Sequence, residues 1–164
     1  MAPTLNIVGA GHVGRVLGKL FAATGVFAVQ DVLPRTEASA RDAVGFIGAG
    51  RAVATMEEMR PAGAWMLAVP DDQIAPACAQ LAAVHGLDGA LLFHCSGATS
   101  SAALDAAAAR GALTASVHPI RSFADPAAVA GNFAGTWCGI EGAPGALALL
   151  EPALLAIGAK LAPI

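Results

Sequence analysis

The sequence predicts an α/β domain in which a mostly parallel, doubly wound sheet carries helices on both faces, a three-layer α/β/α arrangement. Three observations predict it. Short apolar runs alternate with stretches of helical periodicity along the whole chain, the order of elements that builds a parallel sheet. The composition is 56% hydrophobic and only 13% charged, as expected when strands are buried on both faces. The third is the hexapeptide Gly9-Ala10-Gly11-His12-Val13-Gly14, which lies between the first apolar run and the first periodic stretch.

Each element has its own signal. Leu5 to Val8 reads as a strand ended by Gly9. From His12 to Thr24 the apolar residues Val13, Val16, Leu17, Leu20 and Phe21 fall at helical spacing, and Gly25 is placed to stop the helix. Val26 to Leu33 is a second strand, broken at Pro34. Thr36 is positioned to cap a helix through Ala43, and Phe46-Ile47 is expected to be a short third strand. Thr55 caps a single turn containing Met56 and Met59.

Ala64 to Val69 is a buried strand ended by Pro70-Asp71-Asp72. Asp72 is expected to cap a helix through Val84, with Pro76 tolerated near the first turn. Ala90 to His94 is a strand, and Ser100 or Ser101 caps an Ala-rich helix ending at Arg110-Gly111. Leu113 to Val117 is a strand that ends at His118-Pro119, and Asp125-Pro126 opens a short helix. Thr136 to Glu141 then reads as a strand, Pro144 to Ile157 as a helix kinked near Pro152, and Lys160 to Ile164 as a last strand. No repeat or low-complexity linker interrupts this order, so residues 1–164 are expected to form one domain.

Composition excludes several classes. Low charge with high hydrophobicity rules out disorder, and no stretch reaches the roughly 18 uninterrupted apolar residues of a spanning helix. A net charge of −3 without a basic stripe argues against nucleic acid as a partner. Cys78, Cys95 and Cys138 are odd in number and widely spaced, which suggests neither a disulfide framework nor a zinc knuckle. His12, His85, His94 and His118 show no ligand-type spacing with Cys or carboxylates, so no metal is expected. No cationic segment followed by an apolar one opens the chain. A soluble, reduced, cytoplasmic protein is the expectation.

The hexapeptide is a GxGxxG turn between a strand and a helix, the context in which that motif binds a dinucleotide. Gly9 permits the tight turn, Gly11 lets a pyrophosphate approach the backbone, and Gly14 lets the helix sit against the strand. Ala10, His12 and Val13 complete the loop, whose helix N-terminus offers unpaired N–H groups to phosphate. The alternative is a strand-turn-helix corner that merely tolerates glycine. An NAD site usually carries a carboxylate at the tip of the second strand. Here that tip reads Leu33-Pro34-Arg35-Thr36, and Arg35 with Thr36 suits the 2′-phosphate of NADP. NAD is the lesser expectation; Asp31 would favour it if the strand ended earlier.

Three further strand ends belong to the crevice where such sheets bind ligands: Val69-Pro70, His94-Cys95-Ser96-Gly97 and His118-Pro119. Cys95 reads as a small buried hydrophobe rather than a nucleophile, and His94 as a structural histidine. Ser96 and His118 are the catalytic candidates. A histidine titrating near neutrality can exchange the proton that accompanies hydride transfer, and a serine can orient substrate or the nicotinamide amide. A structural role for His118 before the proline is the competing reading.

Taken together, GAGHVG, AVPDDQI, HCSGA and SVHPIRSFAD resemble a bacterial family assigned as NADP-dependent oxidoreductases. In that family a Rossmann-like N-terminal domain precedes an all-helical domain of unknown function. It is a distant relative of pyrroline-5-carboxylate reductase, 6-phosphogluconate dehydrogenase and prephenate dehydrogenase. The resemblance runs from about Leu5 to Ile164 and implies that Gly9, Gly11 and Gly14 hold the pyrophosphate. It also implies that Arg35 and Thr36 hold the NADP phosphate, and that Val69 and Pro70 line the nicotinamide side. His118-Pro119 is similar to the His-Pro turn whose histidine polarises the substrate hydroxyl in prephenate dehydrogenases, with Ser96 matching the serine near it. Pro34 departs from the small polar residue usual before the arginine. Ile120-Arg121-Ser122 departs from the Gly-rich turn that prephenate would require.

The helical domain of the family is expected to be absent from this chain, leaving the cofactor half of the site. The expected function is therefore the cofactor-binding domain of an NADP-dependent oxidoreductase acting on a small carbonyl, hydroxy or imino compound. The expected assembly is a homodimer when the helical domain is present. The alternative is a non-catalytic dinucleotide-binding module acting as redox sensor or regulator.

Overall fold

Alternation along the central strands decides which side of the sheet each side chain covers. In the computed structural model, which describes residues 1–164, β1 (Thr4–Val8), β4 (Ala64–Leu67) and β5 (Leu91–His94) lie side by side. Leu5, Ile7, Ala64, Met66, Leu91 and Phe93 enter one apolar cluster; Val8, Trp65, Leu67 and Leu92 enter another. The first cluster is closed by α1 (His12–Thr24), α2 (Ala40–Ile47), α5 (Pro126–Gly131) and α6 (Pro144–Ala156). The second is closed by α3 (Ile74–Val84) and by α4 (Asp105–Ala108) with the 3-10 turn before it. Two cores on opposite faces of one sheet are what the high apolar fraction serves.

The sheet has eight strands in the order β3-β2-β1-β4-β5-β6-β7-β8, completed by β2 (Ala28–Leu33), β3 (Arg51–Ala52), β6 (Leu113–Pro119), β7 (Trp137–Gly142) and β8 (Lys160–Pro163). Every pairing is parallel except β6 with β7. The order reverses between β1 and β4, and the carboxyl ends of these two strands flank the crevice expected at such a switch point. No helix is long and apolar enough to cross a membrane.

The expected elements recur with local corrections. Phe46 and Ile47 belong to α2, not to a strand. Ala43 and Ile47 lie four residues apart and are both buried, so one helical face takes them together, and Gly48 in the left-handed conformation ends the helix. The third strand is the later Arg51–Ala52. The helix expected from Thr36 starts as a 3-10 turn capped by the Thr36 hydroxyl, which accepts from the Ser39 N–H. Asp72 is not a cap: it lies inside a 3-10 turn (Asp71–Gln73) that precedes α3. The Ala-rich helix is half 3-10 turn (Ser101–Leu104), capped by Ser100, with four α-helical residues behind it. Pro152 sits inside α6, which continues through it to Ala156.

Asp31 shows how a polar residue enters this sheet. It is fully buried within β2, and its carboxylate accepts from the guanidinium of Arg60 at 2.8 Å, the Arg60 N–H at 2.7 Å and Arg51 Nε at 3.1 Å. Burial opposes its ionisation, but the hydrogen bonds from Arg60 and Arg51 outweigh burial and hold its carboxyl below the usual carboxylate range. The network ties β2 to β3 and to the segment that leads into β4.

Candidate functional site: a cleft at the carboxyl edge of the sheet

The loop after β1 is shaped by two close approaches. Gly9 has φ +82°, and a Cβ there would stand 2.5 Å from the Ala68 carbonyl oxygen. A Cβ on Gly14 would stand 2.6 Å from the Ala68 Cβ. Both glycines therefore let the turn and α1 press against the end of β4. Gly11 differs: nothing lies within 4 Å of where its Cβ would be. It precedes α1, whose N-terminus has no side-chain cap, so no side chain satisfies the first-turn N–H groups. Arg15 braces the loop, its Nε donating to the Ala10 carbonyl at 2.8 Å.

These residues form the wall of a cleft of about 1140 Å³. Gly9, Ala10, Gly11, His12, Val13, Gly14, Arg35, Thr36, Val69, Pro70 and Ser96 all line it, together with Cys95. Four separate strand ends are thus brought to one space. Arg35 is exposed and makes no hydrogen bond or ion pair within the chain, unlike Arg51 and Arg60. Asp31 does not line the cleft, because β2 extends to Leu33 and its carboxylate is already engaged.

The sequence reading missed Arg15, Ser39, Phe46, Gln73, Gln80 and Asp125, which also line the cleft. Arg15 directly follows the third glycine, a signal that was available. Asp125 caps α5, and only the packing of α5 against α1 brings it there.

At the other end, the segment after β5 crosses β6 as a strap. Alternation places Thr114, Ser116 and His118 of β6 on the same face, because Ala115 and Val117 fill the opposite core. His94, fully buried, holds both ends of the strap. Its Nδ1 accepts from the Ser96 N–H at 3.1 Å and its Nε2 donates to the Ser100 carbonyl at 2.9 Å. Those partners select the neutral tautomer with the proton on Nε2. The expected structural histidine is therefore what the geometry supplies.

Ser96 Oγ accepts from the Ala98 N–H at 3.0 Å, so its own hydroxyl proton is unused within the chain. His118 does not line the cleft. Its ring lies against the strap at Gly97, where a Cβ would stand 2.5 Å from Cε1 and Nε2. Burial pushes the Cys95 thiol up to about 12, with the nearby Cys138 adding to the effect. Such a shift disfavours the thiolate, the form in which a cysteine acts as a nucleophile.

Comparison with known proteins agrees with this architecture. Among solved structures, a provisionally named NADP oxidoreductase from Bacteroides fragilis superposes with a TM-score of 0.82 at 17% identity, covering 99% of this chain and 60% of that one. The arogenate dehydrogenase of Synechocystis matches with a TM-score of 0.79 at 17% identity, covering 98% of this chain and 59% of that one. A variant imine reductase of Myxococcus stipitatus, in complex with NAD+, gives a TM-score of 0.75 at 18% identity, covering 99% of this chain and 55% of that one. The chain thus spans 55–60% of the length of these three structures. No curated protein matches significantly. A sequence family described as the Rossmann-like domain matches residues 3–119, and the chain belongs to that family.

Proposed function

We propose that this chain is the cofactor-binding domain of an NADP-dependent oxidoreductase whose substrate is a small carbonyl, hydroxy or imino compound. The observation that carries the reading is the cleft itself. The open Gly11 turn, the uncapped N-terminus of α1 and the unpaired Arg35 line one space at the switch point of the sheet. The first two suit a pyrophosphate, and the third suits a 2′-phosphate. A bound nicotinamide dinucleotide would supply the hydride chemistry.

The chain's own residues would then bind and orient. The N–H groups at the start of α1 would hold the pyrophosphate, and Arg15 would add positive charge beside them. Arg35, Thr36 and Ser39 would hold the adenosine 2′-phosphate. A dinucleotide spans both halves of such a sheet, which directs the nicotinamide toward Val69, Pro70 and Ser96. Ser96 would donate its free hydroxyl to the nicotinamide amide or to substrate, and His118 would exchange the proton that accompanies hydride transfer. In the intact protein, a helical domain beyond this one would close the substrate side and pair two subunits.

A second reading, a dinucleotide-binding module without catalysis, draws on one observation: the His118 ring lies under Gly97 rather than on the cleft wall. Titration of the 164-residue chain with NADPH and NADH, followed by calorimetry and repeated with Arg35→Ala, tests the first reading. The expected result is tighter binding of NADPH than of NADH, a difference that Arg35→Ala erases. Binding of neither cofactor would overturn it. Turnover by the full-length protein that His118→Asn abolishes would separate enzyme from sensor.

A further inference from the structure

Glu141 lies outside the segment matched by the Rossmann-like family and outside the cleft. It sits on β7 directly opposite Ser116, in the one antiparallel pairing of the sheet. Directly opposed residues share a face, so its carboxylate joins Thr114, Ser116 and His118 beneath the strap. There it accepts three hydrogen bonds. The Ser101 N–H donates to Oε1, the Ser101 hydroxyl to Oε2 at 2.9 Å, and the Ser116 hydroxyl to Oε1 at 3.0 Å. Two of these come from the far end of the strap and one from β6, the strand the strap crosses.

The strap is therefore fastened at both ends on one polar face. His94 fixes its start through the Ser96 N–H and its end through the Ser100 carbonyl. Glu141 fixes the residue after that, Ser101. Between the two anchors lie Ser96, which lines the cleft, and Gly97, which rests on His118. A carboxylate is suited to this task because one group can take three donors at once, and bonds to an ionised acceptor are stronger than neutral ones. Burial opposes the charge, yet the Ser101 and Ser116 bonds hold the Glu141 carboxyl below its ordinary range. It stays ionised at neutral pH.

We propose that Glu141 is a positioning residue for the nicotinamide half of the cleft, acting through the strap of residues 95–101. The proposal rests on the dinucleotide reading given above. By holding Ser101 to β7 it sets the height at which Ser96 stands over the cleft and keeps Gly97 on the His118 ring. The adenosine half, built from residues 9–15 and 35–39, makes no hydrogen bond to it. Loss of the anchor should therefore weaken only ligands that carry a nicotinamide.

The experiment compares NADPH with 2′-phospho-ADP-ribose, which lacks only the nicotinamide, by calorimetry on the 164-residue chain. Glu141→Gln removes the charge. Ser101→Pro leaves the carboxylate in place but deletes both donors that Ser101 gives it, the N–H and the hydroxyl, at the first position of a 3-10 turn where proline is suited. Both variants are expected to lose about tenfold in NADPH affinity with 2′-phospho-ADP-ribose unchanged. Amide hydrogen exchange at 95–100 should rise in both. Equal losses for the two ligands would assign Glu141 a merely structural role and overturn the proposal. So would unchanged NADPH affinity in either folded variant. A wild-type chain that binds neither ligand would overturn the cofactor reading and this one with it, an outcome distinct from wild-type binding that the variants leave intact.

Discussion

Gly97 lies on the imidazole of His118, so closely that a Cβ at residue 97 would stand 2.5 Å from both Cε1 and Nε2. The contact joins the loop that lines the cleft to the histidine that does not. Any side chain at 97 must lift the strap or turn the ring. Gly97→Ala is expected to destabilise the fold by about 1–3 kcal/mol, the usual cost of an overpacked contact. Chemical denaturation would measure it, and NADPH affinity should fall alongside because Ser96 moves with the strap. An unchanged midpoint and unchanged affinity would show that the strap yields freely.

The glycines of the first loop divide by what surrounds them. Gly9→Ala forces a Cβ to 2.5 Å from a backbone oxygen at a positive φ, so it should destabilise by roughly 2 kcal/mol or more. Gly11→Ala meets no neighbour and precedes α1 with an extended backbone that alanine adopts. Its cost should stay under about 1 kcal/mol, while dinucleotide affinity is expected to fall at least tenfold, because in the proposed function the methyl would stand where the pyrophosphate approaches. Thermal denaturation and cofactor titration on the same two variants check this. A Gly11→Ala chain that binds as wild type would remove the phosphate role from the loop.

In the proposed function, Arg35 carries the choice of dinucleotide. Removing one charge-assisted contact costs about 1.5–3 kcal/mol, so Arg35→Ala should weaken NADPH by roughly ten- to a hundredfold and NADH by less than about twofold. Calorimetric titration of each cofactor gives the ratio directly. Equal effects on the two would mean that the arginine does not meet the 2′-phosphate.

Acid stability should be governed by Asp31, with Glu141 contributing in the same direction. Both carboxyls are held below their ordinary values in the fold. Their contribution is therefore fully present above the unfolded carboxylate pKa, about 4, and is lost as pH falls through the lower folded value. Asp31→Asn should lower the melting temperature at pH 7, since it leaves Arg51 and Arg60 without their shared partner. It should also flatten the decline in stability below about pH 4. Melting curves collected from pH 7 to pH 2.5 would show a slope no different from wild type if the buried carboxylate were irrelevant.

Much of this molecule could be read along the chain because the signals are local. The GxGxxG turn, the Gly25 stop, the Thr55 cap and the Asp125-Pro126 start depend on a few neighbouring residues, and each stands where the spacing places it. The strand expected from Leu113 to Val117 runs on to Pro119, so alternation carries His118 onto one face with Thr114 and Ser116. Phe46-Ile47 misled because two adjacent apolar residues suit strand or helix equally; contact with Gly18 of α1 and the Gly48 stop settled the matter. The fold class, the glycine-rich turn and the arginine at the tip of the second strand were thus legible in the sequence alone. Only the tertiary structure decided that Asp31 is consumed by two arginines 20 and 29 residues away. Only it decided that Glu141 reaches back 40 residues to hold the strap, and that His118 lies beneath Gly97. Such pairings are set by which strands become neighbours across the sheet, and no local periodicity encodes that.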